Sequence, residues 1–129
     1  MPAKAKILLV DDEPSIIKMV GKRLEVGGFE VLTASDGFDG LQKAQNEKPD
    51  LVILDLMLPK MDGYKVCMML KRDTRYQKIP IILFTARAQT QDEKLGMECG
   101  ANAYMKKPFK AQELLDQINV LLKQSPASQ

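Results

Sequence analysis

The sequence predicts an α/β domain built on a doubly wound, five-stranded parallel sheet with five helices. Three apolar runs, at residues 7–10, 51–54 and 81–84, are continuous rather than alternating, as expected of strands covered on both faces in a parallel sheet. Between those runs the apolar spacing lengthens to that of helices. Strands therefore alternate with helices, which implies right-handed crossovers in a layered α/β domain.

Each element has its own signal. The first strand covers residues 7–10, and the helix after it carries Ile16, Ile17, Val20 and Leu24 at helical spacing. Pro14 sits in its first turn and Gly27-Gly28 closes it, the usual placement of proline and glycine at helix ends. A weaker second strand is expected over residues 30–34. Phe38, Leu41 and Ala44 mark a second helix that ends before Pro49. The third strand covers residues 51–54, and Val66, Met69 and Leu70 mark the third helix. The fourth strand, residues 81–84, is followed by the least amphipathic helix, over about residues 91–99. The fifth strand covers residues 103–105. Leu114, Leu115, Ile118, Leu121 and Leu122 mark the last helix. Residues 1–124 thus form one domain, and residues 125–129 are expected to be a flexible tail.

Composition narrows the function. A chain of 129 residues is the size of one domain and buries enough surface to be stable without a disulfide or structural metal. The formal charge of +2 is small and its lysines are scattered, so neither nucleic acid nor membrane is an expected partner. Only 5% of the residues are aromatic, which leaves few platforms for stacking bases. No apolar run resembles a signal peptide or a membrane span, and a cytoplasmic location follows. Cys67 and Cys99 are then expected to be free thiols. The sequence contains no histidine. That excludes histidine-based nucleophile triads and argues against zinc, leaving carboxylates, lysines and hydroxyls for chemistry.

Open α/β sheets bind ligands outside the carboxyl ends of their strands, near the point where strand order reverses. Asp11 and Asp12 follow the first strand, Asp55 the third, Thr85 the fourth, and Lys107, before Pro108, the fifth. In the flavodoxin-like order 2-1-3-4-5 the first and third strands are neighbours, so Asp11, Asp12 and Asp55 converge at one edge. Three close carboxylates repel one another unless a positive charge lies among them. An all-oxygen cluster suits a hard cation that keeps part of its water, which is Mg²⁺ rather than zinc. With Lys107 and the Thr85 hydroxyl the set can hold phosphoryl oxygens, and a carboxylate can itself attack phosphorus to form an aspartyl phosphate. Singly, each residue has a plainer reading. Asp12, Asp55 or Thr85 could cap a helix or loop, Lys107-Pro108 could be a surface turn, and Gly63 could supply a positive φ to a βα turn. The functional reading rests on all of them falling at the same end of successive strands.

The chain resembles the CheY-like receiver domains of two-component response regulators from about Lys4 to Lys123. The likeness lies in Ile7-Leu8-Leu9-Val10-Asp11-Asp12-Glu13-Pro14, in the segment from Pro49 through Asp55 to Pro59, and in Met61-Asp62-Gly63. It continues in Pro80-Ile81-Ile82-Leu83-Phe84-Thr85-Ala86 and in the segment from Gly100 to Phe109. The resemblance implies that Asp55 is the phosphoacceptor and that Asp11, Asp12, Asp55 and the Met57 backbone carbonyl surround Mg²⁺. It further implies that Lys107, rather than its neighbour Lys106, pairs with the phosphoryl group, and that the Lys107–Pro108 bond is cis. Ala86 would leave room for the incoming group. Thr85 and Tyr104 would switch the face formed by the last two helices and the fifth strand. The residues two after the acceptor and two after the threonine, Met57 and Arg87, lack a carboxylate or amide to orient water, so the aspartyl phosphate is expected to be long-lived.

The implied function is a signalling switch without turnover on an outside substrate. Its phosphoryl donor is a histidine kinase or histidine phosphotransfer protein, with acetyl phosphate as a small substitute, and its target is a downstream protein or output domain. A homodimer on phosphorylation stays open, as does the choice between a stand-alone regulator and part of a longer one. Two other classes compete. A receiver fold that works only by binding is disfavoured because the acidic residues and Lys107 are all retained. A phosphatase or nucleotide enzyme on the same architecture would need Asp-x-Asp after the first strand or a P-loop, and neither segment occurs.

Overall fold

The computed structural model describes residues 4–85, 99–107 and 109–124, with the backbone alone at Thr85 and Gln124. In chain order the elements are β1 (Lys6–Val10), α1 (Pro14–Val26), β2 (Glu30–Ala34), α2 (Gly37–Glu47) and β3 (Leu51–Asp55). These are followed by α3 (Gly63–Lys71), β4 (Ile81–Thr85), β5 (Ala103–Lys106) and α4 (Ala111–Gln124). All strand pairs are parallel, in the order β2-β1-β3-β4-β5. Among the described residues there are four helices. The helix expected over about 91–99 falls largely outside the described residues, as do Ala86, Arg87, Pro108 and the tail at 125–129.

Side chains of successive strand residues point to opposite faces, and the continuous apolar strands fill both. On one face Leu8, Val10, Val52, Leu54 and Leu83 pack with Leu41 and Ala44 of α2 and with Val66, Cys67 and Leu70 of α3. On the other, Ile7, Leu9, Leu51, Ile53, Ile82 and Phe84 pack with Val20 and Leu24 of α1 and with Leu114, Ile118 and Leu121 of α4. The described helices fall where the sequence places them, but two of their marker residues lie off the core face. Phe38 and Met69 are 50% and 42% exposed, and Cys67 takes the buried position beside Val66 and Leu70. In α2 the close approach to the sheet is made by Gly40, where a Cβ would lie 2.9 Å from a Val10 methyl.

Helix ends follow their sequence signals. Pro14 opens α1. At its other end Gly28 N–H bonds to the Glu25 carbonyl and Phe29 N–H to the Leu24 carbonyl, with Gly28 at φ 94°, a Schellman closure that only glycine adopts cheaply. Asp36 caps α2 through Asp39 N–H and Asp62 caps α3 through Lys65 N–H. The plain reading of Asp12 as a helix cap fails, because Glu13 holds the cap position of α1 and makes no side-chain cap bond. The plain reading of Gly63 also needs correction. The positive φ in the loop between β3 and α3 belongs to Lys60, at 68°. Gly63 is required for space: a Cβ there would lie 2.3 Å from the Asp55 carbonyl oxygen and 2.9 Å from Leu56 Cα. Its amide donates to the Leu56 carbonyl at 3.0 Å. The start of α3 is thereby held against the end of β3.

Candidate functional site

The carboxyl edge of the central strands carries the site. Asp11 and Asp55 lie at the ends of neighbouring strands β1 and β3, and Lys107 follows β5 from across β4. Burial is severe: Asp11 is fully buried and Asp55 is 4% exposed. They are the two buried charged residues among those described. One oxygen each from Asp11, Asp12 and Asp55 lies within 4.8 Å of the others. Asp12 is exposed and leaves one side of the cluster open to water.

Each carboxylate is oriented by its own loop. Asp11 Oδ1 accepts from Glu13 N–H at 2.9 Å, and Asp55 Oδ1 accepts from Met57 N–H at 3.1 Å. The remaining oxygens face one cation. Lys107 Nζ donates to Asp11 Oδ2 at 2.9 Å and to Asp55 Oδ2 at 3.3 Å, with Glu13 Oε1 at 3.6 Å. The ammonium also lies 4.7 Å from the centroid of the Phe84 ring, which is propped edge-on by Phe109 at 5.7 Å. A cation over an aromatic face gains from the ring quadrupole.

These surroundings move protonation equilibria. Burial pushes the Asp55 carboxyl above the ordinary carboxylate value and the Asp11 charge adds to it, against the Met57 N–H and Lys107, which favour the ionised form. Burial also works against the Lys107 ammonium, but hydrogen bonds and charge from Asp11 and Asp55 outweigh it, so Lys107 titrates above an ordinary lysine. Asp55 therefore sits in a pocket with more negative charge than one lysine neutralises. An all-oxygen donor set, half buried and half open to water, fits a hard divalent cation of the Mg²⁺ type.

Of the residues singled out from sequence, Asp11, Asp12, Asp55 and Lys107 come together. Met57 joins through its backbone amide, while its side chain is 53% exposed at the rim. Thr85 ends β4 opposite Lys106 of β5, and its side chain lies outside the described residues. Tyr104 pairs in register with Leu83 and is partly buried against the α2–α3 side of the core. The plain reading of Asp55 as a loop cap holds alongside the functional one, since its carboxylate accepts the Met57 amide. Sequence reasoning misses Glu13, Phe84 and Phe109 as parts of the site. Glu13 carries a signal in following Asp11-Asp12 directly. The two phenylalanines carry none, because the contact of Phe84 with Lys107 depends on the pairing of β4 with β5, and Phe109 joins only through Phe84.

An acidic pocket bridged by a lysine, at the carboxyl edge of a sheet ordered 2-1-3-4-5, defines the class as a flavodoxin-like α/β domain with an acidic cation-type site. The family profile described as response regulator receiver domain matches residues 7–119, and the chain belongs to that family. It is 48% identical over 122 residues to the alkaline phosphatase synthesis transcriptional regulatory protein PhoP of Bacillus subtilis, covering 93% of this chain and 49% of that protein. It is 43% identical over 120 residues to the DNA-binding dual master transcriptional regulator RpaA of Synechocystis, covering 93% of this chain and 50% of that protein. The chain thus spans about half the length of these curated relatives. Among solved structures, a CheY-like receiver domain protein from Methanospirillum hungatei superposes with a TM-score of 0.89 at 30% identity, covering 95% of this chain and 96% of that one. The chemotaxis response regulator CheY4 of Vibrio cholerae does so with 0.86 at 34% identity, covering 92% and 99%. No helix among the described residues is long and apolar enough to cross a membrane.

Proposed function

We propose that this receiver domain accepts a phosphoryl group on Asp55 in a Mg²⁺-dependent reaction. The observation that carries the reading is the meeting of Asp11, Asp12 and Asp55 oxygens within 4.8 Å, with Lys107 bridging the two buried members. Asp11, Asp12 and Asp55, with the Met57 backbone carbonyl, would hold the ion. Bound Mg²⁺ supplies charge neutralisation and orients the phosphoryl oxygens. The Met57 amide holds one Asp55 oxygen in place, leaving Oδ2, the oxygen facing Lys107, as the nucleophile. As phosphorus transfers, Lys107 moves its donors from the carboxylates to the phosphoryl oxygens, a shift of charge-assisted bonds within one pocket.

These 129 residues hold no histidine, so a phosphohistidine donor lies outside them, on a sensor histidine kinase or a histidine phosphotransfer protein. Thr85 and Tyr104 are the switch residues of this reading. Thr85 hydrogen-bonds the phosphoryl group and Tyr104 moves inward, shifting the population between two packings of the face around β5 and α4. The likeness to transcriptional regulators of twice the matched length supports an output region that controls transcription, with the domain itself contacting protein rather than nucleic acid. The setting is the cytoplasm, where such kinases deliver their phosphoryl groups.

The test is intact mass after incubation with acetyl phosphate and Mg²⁺, for the wild type and Asp55→Asn, with and without chelator. Addition of one phosphoryl group, about 80 Da, to the wild type alone, and its loss with chelator, is the expected outcome. An Asp55→Asn protein that gains the same mass would assign the acceptor elsewhere. A wild type that stays unmodified with both acetyl phosphate and a phosphohistidine donor, while still binding Mg²⁺, would favour a domain that works by binding alone.

A further inference from the structure

Outside the acidic site, one cluster of reactive groups stands unused. Cys67, fully buried on α3, and Cys99, half-buried ahead of β5, are thiols not joined in a disulfide. Cys67 Sγ donates to the Cys99 carbonyl oxygen at 3.6 Å, which sets the buried sulfur against the Cys99 residue. The approach depends on Gly100, at φ 95°, which lies so close to α3 that a Cβ would be 3.1 Å from Lys71 Cγ. Lys71 Nζ is fixed by the Gln77 and Ile79 carbonyls, and its positive charge acts on both sulfurs. The thiol pair thus has a built setting: one sulfur buried, one within reach of solvent, and a lysine beside them.

We propose that Cys67 and Cys99 are a redox-active pair, with Cys99 the thiol that meets the oxidant and Cys67 the thiol that resolves it into an intramolecular disulfide. Cys99 is the sulfur within reach of solvent and Cys67 the buried one. The Cys67 side chain beside it also holds the Cys99 thiol below its ordinary value, and Cys67 lies above its own, which favours Cys99 as the attacking thiolate of thiol–disulfide exchange. With a low-molecular-weight disulfide such as oxidised glutathione, the Cys99 thiolate bonds to one sulfur and the other leaves as thiolate. Cys67 then passes its proton to the departing thiolate and bonds to Cys99 Sγ, displacing the second glutathione. Two protein thiols are oxidised and one disulfide is reduced to two thiols. The new bond ties α3 to the segment that enters β5, where Asn102 N–H bonds the Ile81 carbonyl and Asn102 Oδ1 accepts Ile81 N–H.

The experiment treats the native, reduced full chain with oxidised glutathione, quenches with an alkylating agent and reads intact mass and non-reducing peptide maps. The expected wild-type product has lost about 2 Da, takes no alkyl groups and links the Cys67 and Cys99 peptides. Cys67→Ala is expected to stop at a glutathione adduct on Cys99, and Cys99→Ser to remain unmodified. A wild type that stays fully alkylatable, or one that accumulates a stable adduct without closing the bond, overturns the proposal. Should Cys67→Ala fail to fold, the wild-type product alone decides between these outcomes.

Discussion

Replacing Gly63 by alanine sets two physical effects against each other. On helix propensity alone, Gly→Ala at a helical position stabilises by about 0.5–1 kcal/mol. The surroundings oppose it. A Cβ at Gly63 would lie 2.3 Å from the Asp55 carbonyl oxygen and 2.9 Å from Leu56 Cα, about 1 Å short of ordinary van der Waals contact. The obstructing atoms are backbone at the end of a fully buried strand and cannot rotate away. The start of α3 must retreat, costing about 1–3 kcal/mol of overpacking strain. The Gly63 N–H bond to the Leu56 carbonyl, now 3.0 Å, stretches out of range and costs about 1 kcal/mol more. The net expectation is a loss of about 2 kcal/mol, which lowers the urea midpoint by about 1–2 M with the slope unchanged. Because the strain bears on the backbone of Asp55 and Leu56, phosphorylation by acetyl phosphate, on the proposed function, should slow as well. A Gly63→Ala midpoint equal to or above that of the wild type would refute the close-approach argument and return this glycine to an ordinary turn role.

Two further outcomes follow from the site. Lys107→Met leaves Asp11 and Asp55 facing each other without a cation and should cost about 3 kcal/mol or more at pH 7, measured by urea denaturation. Burial already holds the Asp55 carboxyl above its ordinary value, and without the lysine it resists ionisation further. The penalty is full above the folded pKa, shrinks as pH falls through it and is gone below the unfolded one. The deficit should accordingly shrink in acid, and a deficit that does not change with pH would sink the electrostatic account. Met57→Asn places an amide at the exposed rim beside Asp55, where it can orient water. The aspartyl phosphate should decay faster than in the wild type, by phosphate release, and an unchanged decay would remove Met57 from the control of phosphoryl lifetime.

Much of the fold and the site is legible in the amino-acid sequence alone. The apolar runs at β1, β3 and β4 are covered on both faces, so their continuity is a direct imprint of burial, and a parallel sheet follows from the alternation with helices. Asp11, Asp55 and Lys107 can be placed at one edge because each lies at the carboxyl end of a strand. The less legible parts depend on what tertiary contacts decide. Phe38 and Met69 read as core from their spacing but are exposed, because periodicity fixes a helix and leaves its rotation open by a residue. Gly63 reads as a turn glycine because sequence reveals conformational freedom more readily than lack of space. Phe84 enters the site only through the pairing of β4 with β5, Phe109 only through Phe84, and Glu13 through the reach of Lys107 back across the sheet.

The ionisation of Lys107 bears on how such a site could switch without moving a proton. Its ammonium is shared among Asp11, Asp55 and Glu13, and this sharing holds it above the ordinary lysine value. It is therefore charged throughout the neutral range, and its contribution to stability is fully present there. A phosphoryl group on Asp55 would offer stronger acceptors within the same reach, so Lys107 could exchange partners while staying protonated. What changes in that exchange is position, because the same ammonium rests on the Phe84 ring and Phe84 on Phe109. A shift of the lysine toward phosphoryl oxygens would release or tighten that stack, which joins the end of β4 to the chain entering α4. Charge neutralisation in the pocket and repacking at its edge would then be one displacement, with the ring contact as the physical route from the first to the second.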